Sequence, residues 1–255
     1  MIGFALDKYT DGIKRLWKNA FGDEDINEFL KNYKKNILVY IENGNVCGML
    51  SMLPILMGEE KGRYIYAVAT DENYRGRGIS SELLEWARKY SQDMGEKFLV
   101  LVPAEKSLFN FYEKRGYSTV LCVERKEVLK TEFDGITVEK ILSEELYKLR
   151  KEYFQGRNFA EWGIADLEYI SKMYDGNFYK IISGNDCGFA VCSYSNGILD
   201  IKELCISGIN VEKAASALMD VFGTVKCRAA VPSVNGEPFA MVLPEQDMYF
   251  NIAMD

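Results

Sequence analysis

The segment best suited to chemistry is Ala67-Val68-Ala69-Thr70-Asp71-Glu72-Asn73-Tyr74-Arg75-Gly76-Arg77-Gly78-Ile79-Ser80. Its start reads as the end of a strand, its middle as a loop with two glycines, and its end as the opening of a helix. Glycines there let several backbone N–H groups converge on one point, with the positive end of the helix behind them. Such a cradle suits a diphosphate. Arg75 and Arg77 add charge of the right sign. The phosphate-loop pattern G-x-x-x-x-G-K-[ST] is missing, and so is the dinucleotide pattern G-x-G-x-x-G. A Gly-x-Gly between strand and helix also serves simply as a turn. The chain contains no histidine. That removes Ser-His-Asp and Cys-His catalysis and every His-ligated metal centre, and no metal is expected. Proton transfer must then use Tyr, Cys, Lys, Asp, Glu, a terminus or water.

The elements that must position this loop are legible on both sides of it. Residues 11–34 read as one or two helices, with Ile13, Leu16, Trp17 and Ala20, then Ile26, Phe29, Leu30 and Tyr33, recurring at three and four. Strands are expected over 37–41, 46–57 and 63–70, the first two joined by an Asn-Gly hairpin turn. A helix follows over 79–94, with Gly95 suited to end it. Phe98–Val102 is wholly apolar, as a buried parallel strand should be. A further helix runs from Pro103 to Arg115, and a strand lies within 117–130. This order implies an α/β domain, an α+β arrangement around a mixed sheet. The second half has a similar rhythm: helices over 143–154, 165–173 and 211–222, strands over 136–141, 178–183, 188–193, 198–206 and 224–231, and two strand candidates around Pro244. The chain is expected to divide within 128–135, giving domains 1–130 and 131–255.

The composition fits this division. The chain has 255 residues, 48% hydrophobic and 27% charged, which suits one large domain or two ordinary ones at roughly 100–200 residues each. Residues 1–128 hold 19 of the 31 basic and 19 of the 38 acidic side chains, so the net charge of −7 belongs to the second half. No basic face suggests nucleic acid as a partner. The longest apolar stretch, 46–57, is shorter than the ~20 residues a membrane span needs. Six irregularly spaced cysteines and an N-terminus with no secretion signal suggest a reducing cytoplasm.

Arg75-Gly76-Arg77-Gly78-Ile79-Ser80, after a Val-x-Thr strand end, resembles the acetyl-CoA signature of the GCN5-related N-acetyltransferases. Phe109-Asn110-Phe111-Tyr112-Glu113-Lys114-Arg115-Gly116-Tyr117 resembles a second segment of that family, in the expected order and with a helix and a strand between the two. The resemblance covers roughly residues 1–125. It implies a protein that moves acetyl from acetyl-CoA to a primary amine, of a small molecule or a peptide, by direct attack on the thioester. The pantetheine arm would lie along Val68, Ala69 and Thr70. The diphosphate would sit on the amides from Arg75, Gly76, Arg77, Gly78, Ile79 and Ser80 to Ser81. A backbone N–H near Val68 would hold the oxyanion, and Tyr112 would protonate the departing thiolate. No carboxylate lies inside the 66–70 strand to act as base, and Asp71 and Glu72 read as a solvated loop. The strand end is reminiscent of the Eis-like branch, some of whose members are described as using the chain's terminal carboxylate, here Asp255. The second half looks like a degenerate copy, a tandem module with Ser207-Gly208-Ile209-Asn210 where the glycine signature would stand. Its expected role is to wall the acceptor site or only to support the first module. A non-catalytic acyl-CoA-binding protein is the alternative.

Overall fold

The computed structural model describes residues 1–22, 26–233 and 235–251. The chain forms two compact units: Met1–Ser118 with Met241–Gln246, and Thr119–Ala240 with Asp247 onwards. The N-terminal segment of the first unit runs to Ser118, and Met241–Gln246 completes that unit.

The first unit contains β1 (Ile2–Phe4), α1 (Thr10–Phe21), α2 (Ile26–Tyr33), β2 (Ile37–Glu42), β3 (Asn45–Met57), β4 (Glu60–Thr70), α3 (Ile79–Asp93), β5 (Phe98–Leu101) and α4 (Lys106–Glu113). Strands β1 to β4 pair antiparallel in sequence order. The β2–β3 turn uses Asn43 and Gly44, both at positive φ, as the Asn-Gly signal requires. Strand β5 returns parallel to β4 after the α3 crossover. Its outer neighbour is Met241–Leu243, antiparallel to Leu99–Leu101. The last strand of this unit therefore comes from the far end of the chain.

Side-chain alternation divides the sheet into two faces. Ile65 joins Leu83, Leu84 and Ala87 of α3 in the core. Its neighbour Tyr66 points the other way, with ring centroids 6.1 Å from Trp17 of α1 and 5.6 Å from Phe29 of α2. The two-residue period then fails. Met49 pairs with Ala69 but Ser51 pairs with Tyr66, so one residue of β3 faces two of β4. This bulge returns Val68 to the α3 side.

The second unit contains β6 (Ser118–Leu129), β7 (Ile136–Lys140), α5 (Ser143–Tyr153), α6 (Ile164–Met173), β8 (Phe178–Ser183), β9 (Asp186–Ser195), β10 (Ile198–Cys205), α7 (Val211–Val221), β11 (Lys226–Pro232) and β12 (Glu237–Leu243), the end of which belongs to the first unit. Within it the order is β6-β11-β10-β9-β8-β7. Strand β6 pairs with β11 from Val123 to Leu129, which is why these residues leave the first unit. Strands β10 and β11 are parallel and joined by α7, and β10 carries a bulge between Ile201 and Glu203. Among the described residues the tail holds one strand rather than two. Beyond Gln246 the chain returns to the second unit, and Tyr249 makes only an isolated bridge with Phe159.

Met241 is fully buried in the core formed by α3, α4 and β3–β5. Met241→Ala should therefore cost about 2–5 kcal/mol in urea unfolding. A cost below about 1 kcal/mol would mean that this C-terminal strand is not part of the first unit's core.

Candidate functional site

The site begins where β4 stops behaving as a regular strand. Ala67 has φ +53°, the left-handed region that a residue with a Cβ enters at a cost. The bulge breaks the register of the β3–β4 ladder at 67–68 and re-aims the backbone N–H groups there. The parallel partner stops at the same level. Strand β5 pairs with β4 only from Gly62 to Ile65, with Leu101 as its last partner, while β4 continues to Thr70. The edge of Tyr66–Thr70 that would continue that pairing thus has no β5 residue opposite it. An extended amide-bearing ligand can complete the pattern there, as a strand would.

The loop that follows leaves backbone amides open to an outside acceptor. Gly76 and Gly78 have φ +77° and +82°, and a Cβ at either would meet nothing within 4 Å, so the loop faces open space. Gly78 precedes Ile79 as the helix cap and brings no capping side chain. The first hydrogen bond of the helix runs from Glu82 to Gly78, which leaves the amides of Ile79, Ser80 and Ser81 to an outside acceptor. Side chains brace the loop rather than fill it. Thr70 Oγ1 and Ser80 Oγ share a 2.8 Å hydrogen bond, tying strand end to helix start. Arg75 Nε donates to the Thr70 carbonyl at 3.3 Å. Arg77 pairs with Glu42 at 3.6 Å and lies over the Tyr74 ring. Ile79 is buried in the core, so only its backbone serves the loop.

Beside the first turn of α3 is a cleft of about 440 Å³, lined among others by Ser81, Arg88, Lys114, Arg115 and Leu243. Arg115 spans it, donating to Ser81 Oγ of α3 and to the Phe111 carbonyl of α4. Lys114 and Arg115 beside unpaired helix amides fit the charge of a diphosphate, while Arg88 is paired with Glu85, which also lines the cleft. Splayed strands, glycine loop and basic cleft thus follow one another as a pantetheine-diphosphate ligand would need.

Tyr112 packs in the same core as Val68 and Ile79. It is 6% exposed, its ring centroid is 5.8 Å from that of Tyr117, and among the described residues its hydroxyl has no hydrogen-bond partner. Burial pushes its phenol up to about 12, opposed by the nearby Arg115 charge. The group is therefore protonated at neutral pH and free to donate. Asp71 is not the solvated residue its loop position suggested. It is buried, pairs with Arg15 at 3.5 Å, and accepts from the Asn73 backbone N–H. Glu105 caps nothing with its side chain and accepts from Ser107. Asp255 lies outside the described residues. Sequence reasoning missed Ala67, Arg88 and Arg115. A positive φ at alanine leaves no mark in the sequence, whereas the two arginines sat on recognised helices.

The second unit has the same strand, bulge and helix order but no such cradle. A Cβ at Gly208 would fall 2.3 Å from the Asp186 carboxylate, and Asn210 Oδ1 takes the Lys213 amide at 2.9 Å. The chain itself occupies the polar groups at the β10 bulge. Asn251 Nδ2 donates to the Lys202 carbonyl at 3.2 Å, and Tyr249 Oη donates to Glu203 at 3.1 Å. Glu203 and Arg150 form an ion pair that is 0% and 2% exposed. Among the described residues no group of three His, Cys, Asp or Glu side chains could hold a metal ion, and no helix is long and apolar enough to cross a membrane.

Residues 4–120 match the family model described as an acetyltransferase (GNAT) domain. Similar solved structures include a GCN5-related N-acetyltransferase from Anabaena variabilis, 16% identical, with a TM-score of 0.73 over 95% of this chain and 72% of that one. Another, from Sphaerobacter thermophilus, is 13% identical with a TM-score of 0.61 over 97% of both chains. Eis1 from Mycobacterium abscessus is 12% identical, with a TM-score of 0.60 over 93% of this chain and 66% of that one. Identities this low show the fold. No curated protein matches the chain significantly.

The state of Tyr112 has a consequence for stability. Between pH 10, the ordinary phenol value, and about 12, the unfolded chain releases a proton that the folded chain keeps. Folding stability should therefore fall as pH rises through that window. Tyr112→Phe should remove about 2–3 kcal/mol of that fall in urea unfolding and change little near neutrality. An unchanged slope in the variant would show that the phenol is not held protonated by the fold.

Proposed function

We propose, from the match of residues 4–120 to the acetyltransferase (GNAT) domain model, that the chain transfers an acetyl group from acetyl-CoA to a primary amine of a small molecule or peptide. The observation that carries this is the coincidence, on one strand end, of the Ala67–Val68 bulge, the loss of β5 pairing after Ile65, and the open Gly76–Gly78 loop. Acetyl-CoA supplies a thioester, whose carbonyl carbon a neutral amine attacks directly. The residues of this chain do the rest. The β4 edge beyond Ile65 binds the pantetheine amides as a missing strand would. The amides of the 75–81 loop and the α3 first turn hold the diphosphate, and Arg88, Lys114 and Arg115 line the cleft beyond. A bulge N–H near Val68 aims at the carbonyl oxygen, and a preset donor there stabilises the charge that develops. Tyr112 gives its proton to the departing thiolate, which its raised phenol can do at neutral pH because it arrives protonated.

The acceptor ammonium must lose its proton before attack. No carboxylate of 66–70 offers itself, and Asp71 is engaged with Arg15. Loss of that proton to water is the reading the described residues support. The second unit serves as a degenerate companion module, its bulge occupied by Tyr249 and Asn251 where a cofactor would pair.

Calorimetric titration with acetyl-CoA and a coupled assay over an amine panel test the proposal together. Binding at about micromolar Kd should be lost in Gly78→Glu. Tyr112→Phe should keep that binding while kcat falls about 10²–10⁴-fold. Tight binding with no turnover on any amine would favour a non-catalytic acyl-CoA-binding protein. No binding by the wild-type chain would reduce the glycine loop to a turn.

A further inference from the structure

The second unit carries a pocket of about 370 Å³, every lining residue of which belongs to that unit. Cys227, Ala229, Leu199 and Val128 pack under α7, so strand alternation sends Arg228, Asp200 and Glu127 to the opposite face. The pairing register sets these three in one row across β6, β11 and β10. Arg228 satisfies Asp200 there in a two-pronged contact, at 2.6 and 2.7 Å. Two residues along β6 and β11, Arg125 stands opposite Ala230. The alanine methyl leaves room above the sheet, and buried Phe239 and Asn251 line the space beside it. Among the described residues Arg125 has neither an ion-pair nor a hydrogen-bond partner.

The charge of the pocket runs against that of its surroundings. The second unit, Thr119–Ala240 with Asp247–Asp255, holds 14 basic and 20 acidic side chains, a net charge of −6. Yet on the face of Arg228 and Asp200 the lining offers Arg125, Lys202 and Arg228 against only Glu127 and Asp200, while Lys126 stands on the α7 side and pairs with Glu124 at 3.4 Å. A surface kept merely soluble would follow the acidic background. The volume lies in the range of about 300–1,000 Å³ that small-molecule sites occupy.

We propose that this pocket binds a small carboxylate with an apolar body. The carboxylate takes the fork of Arg125, whose planar geometry suits two parallel hydrogen bonds. The body lies over Ala230 against Phe239. Lys202 adds charge at the rim, and the Arg228–Asp200 pair fixes the floor beside it. The site is separate from the glycine loop and stands whether or not acetyl transfer does.

The test uses the full chain, with benzoate and inorganic phosphate as probes, read by calorimetry and by ligand-observed NMR. Benzoate should bind with a Kd of about 1 mM or tighter. Arg125→Ala should weaken it about tenfold or more with unfolding unchanged, since that side chain is exposed and without a partner. Ala230→Trp, which fills the space and removes no charge, should abolish it. Titration with acetyl-CoA should be the same in both variants. No benzoate binding, equal binding by Arg125→Ala, or phosphate bound as well as benzoate would each overturn the proposal.

Discussion

The first unit depends on a parallel strand pair that stops early. A regular β4–β5 ladder to Thr70 would leave no backbone group for a ligand and no gap to admit one. The pairing ends at Ile65 and Leu101, and within three residues the β3–β4 register slips at Ala67 and Val68. The positive φ at Ala67 is a local cost of about 1–2 kcal/mol. The core surrounding it offsets that cost. Tyr66 is held among aromatic rings of α1 and α2, and Val68 against the cluster under α3. The strained residue is thus gripped from both faces, which is how a sparsely populated backbone conformation persists.

The same arrangement of strands, bulge and helix recurs in the second unit with a different outcome. At the β10 bulge, Glu203 is held by Arg150 and Tyr249, and Asn251 answers the Lys202 carbonyl. Removing any one partner would leave a charge or polar group buried without compensation, and such networks tolerate this poorly. Trp162 Nε1 also donates to the Asn251 carbonyl at 3.2 Å, so the chain after Pro244 is secured at several points. One backbone device therefore leaves an unpaired strand edge in the first unit and anchors the chain after Gln246 in the second.

What could be read in the sequence was local. The 3.6-residue period of α1, α2 and α3, the Asn-Gly turn and the wholly apolar β5 each carry their signal within a few residues, and the structure follows them closely. The glycine loop was legible because Gly76 and Gly78 adopt the positive φ that glycine permits. Ala67 does the same without being glycine, so nothing marked it. Asp71 read as solvated because its partner Arg15 lies 56 residues away in the chain, on α1. The Met241–Leu243 strand was the hardest to foresee. Alternation announces a strand but not its neighbour, and here the neighbour is β5, about 140 residues upstream.

That last pairing bears on how the protein is made. The chain is synthesised from its N-terminus, and early domains commonly fold while later ones are still being added. The unit with the glycine loop cannot follow that course. Its sheet lacks the strand beside β5 until Met241–Leu243 has left the ribosome, about 140 residues after β5 itself. Until then β5 presents an apolar, unpaired edge, the kind that invites wrong partners. Closing the sheet must await a contact of very long sequence separation, which slows folding. The sheet that shapes the glycine loop should thus close only after the intervening second-unit strands have been made, and a chain terminated before Met241 would carry every residue of the signature without that sheet.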